Sequence, residues 1–308
     1  MIFHLQKLLY EEVKFMENVE KKFPKTSINW YPGHMAKARR EMKEKLELID
    51  VVIEVIDARM PASSRVYDLD ELIGKKPKIM ILTKYDLCDQ KITNQFIDKY
   101  KSEGNIVIPV TLLQNFNRSK IMDAINQLFA PENERRKQKG LKPRVARVLV
   151  VGVPNAGKST LINQLVGKKV VQTGNRPGVT QSNNWIRISK DVELMDTPGI
   201  LWPKLADQHQ ARILASLSSI KEEILDKEEL ACFILKEMSK LYPESLEKRY
   251  GIREYDESSL DEILTTIAKK KGALLKMGVP DYEKVYNIII NDLKTGALGG
   301  VTLDRLEG

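Results

Sequence analysis

One octapeptide, Gly152-Val153-Pro154-Asn155-Ala156-Gly157-Lys158-Ser159, narrows the folds open to this chain more than any other feature. It fits the spacing G-x-x-x-x-G-K-[ST], and it sits between an apolar run, Arg147–Val151, and a helical run, Thr160–Leu165. Strand, glycine loop and helix in that order put consecutive backbone N–H groups around phosphate oxygens at a helix N-terminus. In such a loop the lysine, Lys158, reaches the β- and γ-phosphates and the Ser159 hydroxyl ligates Mg²⁺. Asn155, Ala156, Gly157, Lys158, Ser159 and Thr160 are therefore candidate nucleotide-binding residues, with Lys158 also a candidate catalytic one.

The surrounding pattern agrees with that loop. Val51–Asp57, Lys78–Leu82, Ile106–Val110 and Arg147–Val151 read as buried strands, and Trp185–Ser189 with Val192–Met195 as an antiparallel pair. Helical stretches such as Ala36–Leu48 and Asn94–Lys101 lie between the strands, which predicts an α/β fold: a mostly parallel sheet with helices on both faces. The polar, basic stretch 132–144 reads as a helix end and a linker. After Pro203 the strand signals stop. Leu230, Phe233, Ile234, Met238 and Leu241 follow helical spacing, as do Leu260, Ile263, Leu264 and Ile267, and then Val285, Ile288, Ile289 and Leu293. Ser259 with Glu262 matches a capping box. The expected division is an N-terminal extension at 1–27, an α/β domain at 28–205 and an all-helical domain at 206–308.

Composition excludes several classes. Hydrophobic residues make up 42% and charged residues 30% of 308, which is globular rather than disordered. No apolar run approaches the roughly 20 residues that span a bilayer. The two cysteines, Cys88 and Cys232, belong to no metal-binding spacing, which points to a reducing compartment. The first 15 residues have no cleavable signal pattern, Met16 is an alternative start, and a cytoplasmic location is expected. The net charge of +8 favours an acidic partner such as nucleic acid. Monomer is the expected state.

Three further motifs complete a nucleotide site. Asp196, in Met195-Asp196-Thr197-Pro198-Gly199, ends an apolar strand, where a carboxylate holds Mg²⁺, and the Gly199 N–H can meet the γ-phosphate. Thr180, in Arg176-Pro177-Gly178-Val179-Thr180, has the place of a switch threonine that ligates Mg²⁺ only with the γ-phosphate present. Guanine specificity needs an [NT]KxD motif, whose Asp accepts two hydrogen bonds from guanine N1–H and N2–H₂. The matching motif, Thr83-Lys84-Tyr85-Asp86, follows the strand Lys78–Leu82 and lies upstream of the phosphate loop. GTP and GDP are thus the expected ligands, and the motif order is circularly permuted. The sheet can still bring the loops together, because the site depends on spatial and not chain order.

With these motifs in place, the chain resembles the circularly permuted GTPases of ribosome assembly, from about Ile28 to near the C-terminus. The resemblance rests on Trp30-Tyr31-Pro32-Gly33-His34-Met35-Ala36-Lys37-Ala38, Asp57-Ala58-Arg59-Met60-Pro61, the phosphate loop, and Asp196-Thr197-Pro198-Gly199-Ile200-Leu201-Trp202-Pro203. It implies a circularly permuted Ras-like P-loop G domain followed by a helical domain similar to RNA-binding ANTAR modules. It also implies GTP hydrolysis in late maturation of the large ribosomal subunit, stimulated by that subunit and its rRNA.

The chain departs from the family pattern at Thr83, where Asn is usual, a change expected to loosen a loop contact. The second guanine loop is assigned to Thr111-Leu112. Ile200 stands where Ras-like enzymes carry a water-orienting Gln. The resemblance moves that catalytic role to His34, and it implies that Asn155 helps to hold K⁺ beside the phosphates. Lys37, Arg39, Arg40, Arg135-Arg136-Lys137 and Lys269-Lys270-Lys271 are the basic groups expected to face RNA. Two other readings stay open: a GTP-gated RNA-binding scaffold with incidental hydrolysis, and a permuted GTPase acting on another RNA.

Overall fold

The computed structural model describes residues 33–171, 185–196, 207–220 and 226–306. Helix α1 (Gly33–Lys45) continues through a short 3-10 turn into β1 (Val51–Asp57). Then follow α2 (Leu69–Ile73), β2 (Lys78–Thr83), α3 (Gln90–Ser102), β3 (Ile106–Pro109) and α4 (Arg118–Gln138). The chain next forms β4 (Ala146–Val151), α5 (Lys158–Val166), β5 (Trp185–Arg187) and β6 (Val192–Asp196).

These strands make one six-stranded sheet in the order β3-β2-β1-β4-β6-β5. All neighbours pair in parallel except β5 with β6. The expected antiparallel pair thus becomes the edge of the sheet. Central β1 is buried along its whole length, which explains its nearly unbroken apolar sequence VVIEVID. Two acidic residues interrupt it, Glu54 and the terminal Asp57; Glu54 is tolerated in mid-strand because its Oε1 accepts the Val66 N–H at 2.9 Å.

Permutation is visible in the path of the chain. Strands β1, β2 and β3 step outward in one direction, and α4 carries the chain back so that β4 lands on the other side of β1. The return is pinned where the linker meets β4. Arg144 donates two hydrogen bonds to Asp50 at 2.7 and 2.6 Å, and the same carboxylate accepts the Arg147 N–H at 2.9 Å. The crevice between β1 and β4 is the point where strand order reverses, and parallel sheets place ligands there, beyond the strand C-termini.

Helices α6 (Gln208–Ser216), α7 (Lys227–Leu241), α8 (Pro243–Tyr250), α9 (Leu260–Lys271) and α10 (Tyr282–Thr295) form the C-terminal helical region. Leu230, Ile234 and Met238 of α7 and Val285, Ile289 and Leu293 of α10 are buried in its core. The expected capping box does not form. A 3-10 turn at Glu257–Ser259 leads straight into α9, capped by Asp256, whose carboxylate accepts the Ser258 N–H at 3.0 Å. Ser259 makes no side-chain cap: its hydroxyl turns back to donate to the Asp256 carbonyl at 3.3 Å, which also accepts the Ser259 N–H at 3.1 Å and so takes the donor that Glu262 would have bonded.

The last described residues run back to the sheet. Val301 N–H bonds the Leu87 carbonyl at 3.1 Å and Leu303 N–H the Arg59 carbonyl at 2.8 Å. The buried Asp304 carboxylate accepts hydrogen bonds from Ala62 N, Ser63 N and the Ser63 hydroxyl. Among the described residues, no helix is long and apolar enough to cross a membrane.

Candidate guanine-nucleotide site

The phosphate loop leaves β4 at Gly152, where a Cβ would lie 2.4 Å from the Val55 carbonyl oxygen of β1. Only glycine permits that approach of the two strands. The loop turns through Asn155 in a left-handed conformation (φ 58°) and enters α5 from Gly157 (φ 99°). Lys158 is buried at the first turn of α5, and its Nζ donates to the carbonyls of Gly152 and Val153, both at 3.0 Å. These contacts fold the ammonium over its own loop, and in the P-loop pattern this lysine is the group expected to meet phosphate oxygens. Ser159 and Thr160 follow it, both half-buried, on the same first turn.

The upstream guanine motif reaches this loop. Thr83 ends β2, and its hydroxyl lies 2.5 Å from the Ala156 carbonyl and 3.1 Å from that of Ile56, with one proton to share. The threonine thus ties the guanine loop to the phosphate loop, contrary to the loosening expected from its replacement of Asn. Lys84, left-handed at φ 56°, donates from Nζ to the Asn155 carbonyl at 2.8 Å. Leu112 is buried, and its Cδ1 would lie 3.3 Å from a Cβ at Gly157, so the second guanine loop also packs on the phosphate loop. Thr111 beside it is half-buried. Asp86, the carboxylate expected to receive the base, is exposed. The Tyr85 hydroxyl turns instead to α3 and donates to Asn94 at 2.8 Å.

A group that the motif pattern left without a role stands behind these loops. Asp57, at the end of β1, is fully buried and is gripped by Arg59 through Nε at 3.0 Å and Nη2 at 2.9 Å. Lys84 Nζ reaches the same carboxylate at 2.7 Å. Burial pushes the Asp57 carboxyl up, but the Arg59 and Lys84 charges and hydrogen bonds outweigh it and hold the group well below the usual carboxylate range. Lys84 is itself lowered, by burial first, with Asp57 opposing. The signal available in the sequence was Asp57-Ala58-Arg59 at a strand end, the position in a parallel sheet from which side chains reach a ligand crevice.

The residue types expected to hold Mg²⁺ suit that ion. Asp196 pairs in register with Val150, so the C-terminal end of β6 lies beside the start of the phosphate loop. A serine hydroxyl and one carboxylate are hard oxygen donors, and Mg²⁺ commonly takes its remaining ligands from water and nucleotide phosphates. Thr180 and Gly199 lie outside the described residues, as do Ile200 and the side chains of Asp196 and His34; the backbone of His34 is the second residue of α1. The Asn155 side chain, expected near K⁺, donates from Nδ2 to the Ser218 carbonyl at 2.6 Å.

The basic groups divide. Arg40, Arg135, Lys137, Lys269 and Lys270 are exposed. Arg39 is paired with Asp68, and Lys271 lies over the Tyr250 ring at 5.4 Å.

Comparison with known proteins agrees with this geometry. A family model described as "50S ribosome-binding GTPase" matches residues 147–271. The match begins at β4 and leaves the base motif upstream, as a permuted order requires. "Ribosome biogenesis GTPase A" of Bacillus cereus is 43% identical over 280 residues, covering 91% of this chain and 94% of that protein. The protein of the same name from Priestia megaterium is 41% identical over 279 residues, covering 90% and 96%. The crystal structure of GNP-bound YlqF from T. maritima superposes with a TM-score of 0.61 at 29% identity, covering 87% of this chain and 98% of that one.

Proposed function

This chain belongs to the ribosome biogenesis GTPase A family and is a GTPase, and we propose that it hydrolyses GTP as a step in late assembly of the large (50S) ribosomal subunit. The observation that carries this reading is the meeting of Thr83 and Lys84 with the phosphate loop at 2.5 and 2.8 Å. The guanine and phosphate motifs, whose contacting residues lie 73 and 71 positions apart in the chain, form one site.

In this reading Lys158 and the loop N–H groups bind the β- and γ-phosphates, and Asp86 selects guanine. Ser159, Thr180 and Asp196 hold Mg²⁺, which offsets the charge on the transferring phosphoryl oxygens. With Ile200 unable to orient water, His34 takes that role as an imidazole that is neutral over much of the physiological range. K⁺ held through Asn155 adds a second positive charge beside the phosphates. GTP-dependent contact with pre-50S rRNA runs through exposed basic groups, including Lys269 and Lys270 at the end of α9. Beside them the turn between α9 and α10 offers a fully exposed Met277. The protein acts as a monomer in the cytoplasm.

The test is steady-state GTP turnover in KCl and in NaCl, with large subunits, with small subunits and with neither. Ras without its activator turns over at roughly 10⁻⁴ s⁻¹, and a rate of that order alone, raised at least tenfold by the large subunit only, is the expected result. Tight GTP binding with no stimulation by the large subunit would overturn the assembly role. His34→Ala is expected to remove most turnover and leave GTP affinity within a factor of about three.

A further inference from the structure

We infer that Arg59 is a positioning residue that couples the guanine-nucleotide site to the seating of the C-terminal helical region, through one continuous line of buried and half-buried polar contacts. The inference goes beyond the assembly reading and rests only on guanine-nucleotide binding at the site described.

The line begins at the C-terminal end of α10. The last carbonyls of a helix lie beyond the reach of its own i+4 donors. Leu293 O takes the capping Gly296 N–H at 3.4 Å, and Arg59 Nη1 donates to Leu293 O at 3.3 Å and to Lys294 O at 3.0 Å. The same guanidinium holds Asp57 in a two-point grip, and Asp57 accepts from Lys84, which donates onward to the Asn155 carbonyl of the phosphate loop. From Asn155 the line returns to the helical region. Its side-chain amide donates to the Ser218 carbonyl, just past α6, and the Ser219 hydroxyl donates to the Pro154 carbonyl at 2.9 Å. The phosphate loop is thus held from both ends of the helical region, through the α10 terminus and through residues 218–219.

Two observations mark this line as more than packing. Arg59 is 1% exposed, although an arginine needed only to neutralise Asp57 would be served by Lys84 alone. Of the five non-glycine residues with positive φ among the described residues, three are Lys84, Asn155 and Ser218, at 56°, 58° and 62°. Left-handed backbone at non-glycine residues persists where surrounding contacts over-determine it, and it gathers at switch and ligand sites. A guanidinium is also the side chain suited to the task. Its planar fork serves the carboxylate with two donors and the helix carbonyls with a third, and a lysine ammonium has no such spread.

Coupling of this kind is reciprocal: if the seated helical region improves the nucleotide site, nucleotide must steady the helical region. The experiment is amide hydrogen exchange on the full chain with and without GDP, together with GDP affinity and thermal melting, for the wild type, Arg59→Lys and Ser219→Ala. In the wild type, GDP should slow exchange in residues 290–295 at the end of α10 as well as in the phosphate loop. Arg59→Lys should lose the GDP-dependent protection at 290–295 and bind GDP about tenfold more weakly. Ser219→Ala should reduce the effect without abolishing it.

Absence of protection at 290–295 in the wild type, with GDP bound and the phosphate loop protected, would overturn the inference without reference to any variant. An Arg59→Lys protein that melts lower but keeps both the protection and the affinity would reduce Arg59 to a structural role and overturn it as well. Failure to bind GDP at all would instead strike the nucleotide site itself.

Discussion

Two Arg–Asp pairs, one buried behind the guanine site and one partly open to water in the helical region, use the same chemistry to different ends. In the helical region Arg249 grips Asp292 with two hydrogen bonds of 2.7 Å, and the Tyr250 hydroxyl adds a third at 2.8 Å. These residues join α8 to α10, and the third partner is a core tyrosine. Behind the guanine site Arg59 grips Asp57 in the same two-point fashion, but the third partner is Lys84 of the base motif. Depth differs too: the Arg59 side chain is 2% exposed and that of Arg249 35%. A pair open to water can be re-solvated when broken, and a sealed one cannot. The difference teaches that a buried ion pair gains a functional meaning from its third partner.

The sharpest way to break the comparison is Asp57→Ala. It strands the Arg59 guanidinium in the interior and should cost about 3–5 kcal/mol of stability. It should also weaken GTP binding, because Lys84 loses its anchor. Asp292→Ala should cost less, about 2–3 kcal/mol, because water reaches Arg249. GTP affinity per folded molecule should fall far less than in Asp57→Ala, because the Leu293 and Lys294 carbonyls keep their contact to Arg59. Urea denaturation with a fluorescent guanine nucleotide titration checks both. Equal loss of affinity in the two variants would erase the distinction.

Acid separates two of the carboxylates that the sheet region buries, Asp57 and Asp304. Asp57 is lowered in the folded state, so its contribution is present above the unfolded value of about 4 and is lost as pH falls through the folded value. Asp304 is raised, by burial first, so its contribution is present below the unfolded value and is lost as pH rises through the folded value. Unfolding free energy should therefore fall by on the order of 2 kcal/mol between pH 4 and pH 2 where Asp57 dominates. Asp57→Asn should flatten that limb, and Asp304→Asn should steepen it. The smallest expected effect is Tyr250→Phe, about 1 kcal/mol from one lost hydrogen bond to a carboxylate that keeps its arginine. Its GTP turnover should match the wild type, and a changed rate would show that the helical pair also reaches the site.

Much of this was legible in the amino-acid order because the relevant physics is local. A glycine loop between an apolar strand and a helix has few alternatives, and an [NT]KxD motif at a strand end needs only that strand to be placed. Thr83 was legible as part of the base motif but not as a contact to Ala156, because the two residues are 73 positions apart. Asp57-Ala58-Arg59 was visible as a motif and had no role, because the acceptors of Arg59, the Leu293 and Lys294 carbonyls, are backbone atoms on a helix more than 230 residues away. Backbone acceptors carry no residue signature. The capping box at Ser259 failed for a related reason: Asp256 three residues earlier offered a better-placed oxygen, and a pattern cannot rank two adjacent caps.

The sequence by itself determined the strands, the phosphate loop, the base motif and their permuted order, since periodicity and loop chemistry act over a few residues. Only the tertiary structure decided that the guanine and phosphate loops share carbonyls, and that Asn155 faces Ser218. Only it decided that the C-terminal tail closes on the sheet through Asp304. Those contacts join segments far apart in the chain, and burial in a dry interior is what makes their partner choice matter: a polar group there must be paired, and the fold determines with what.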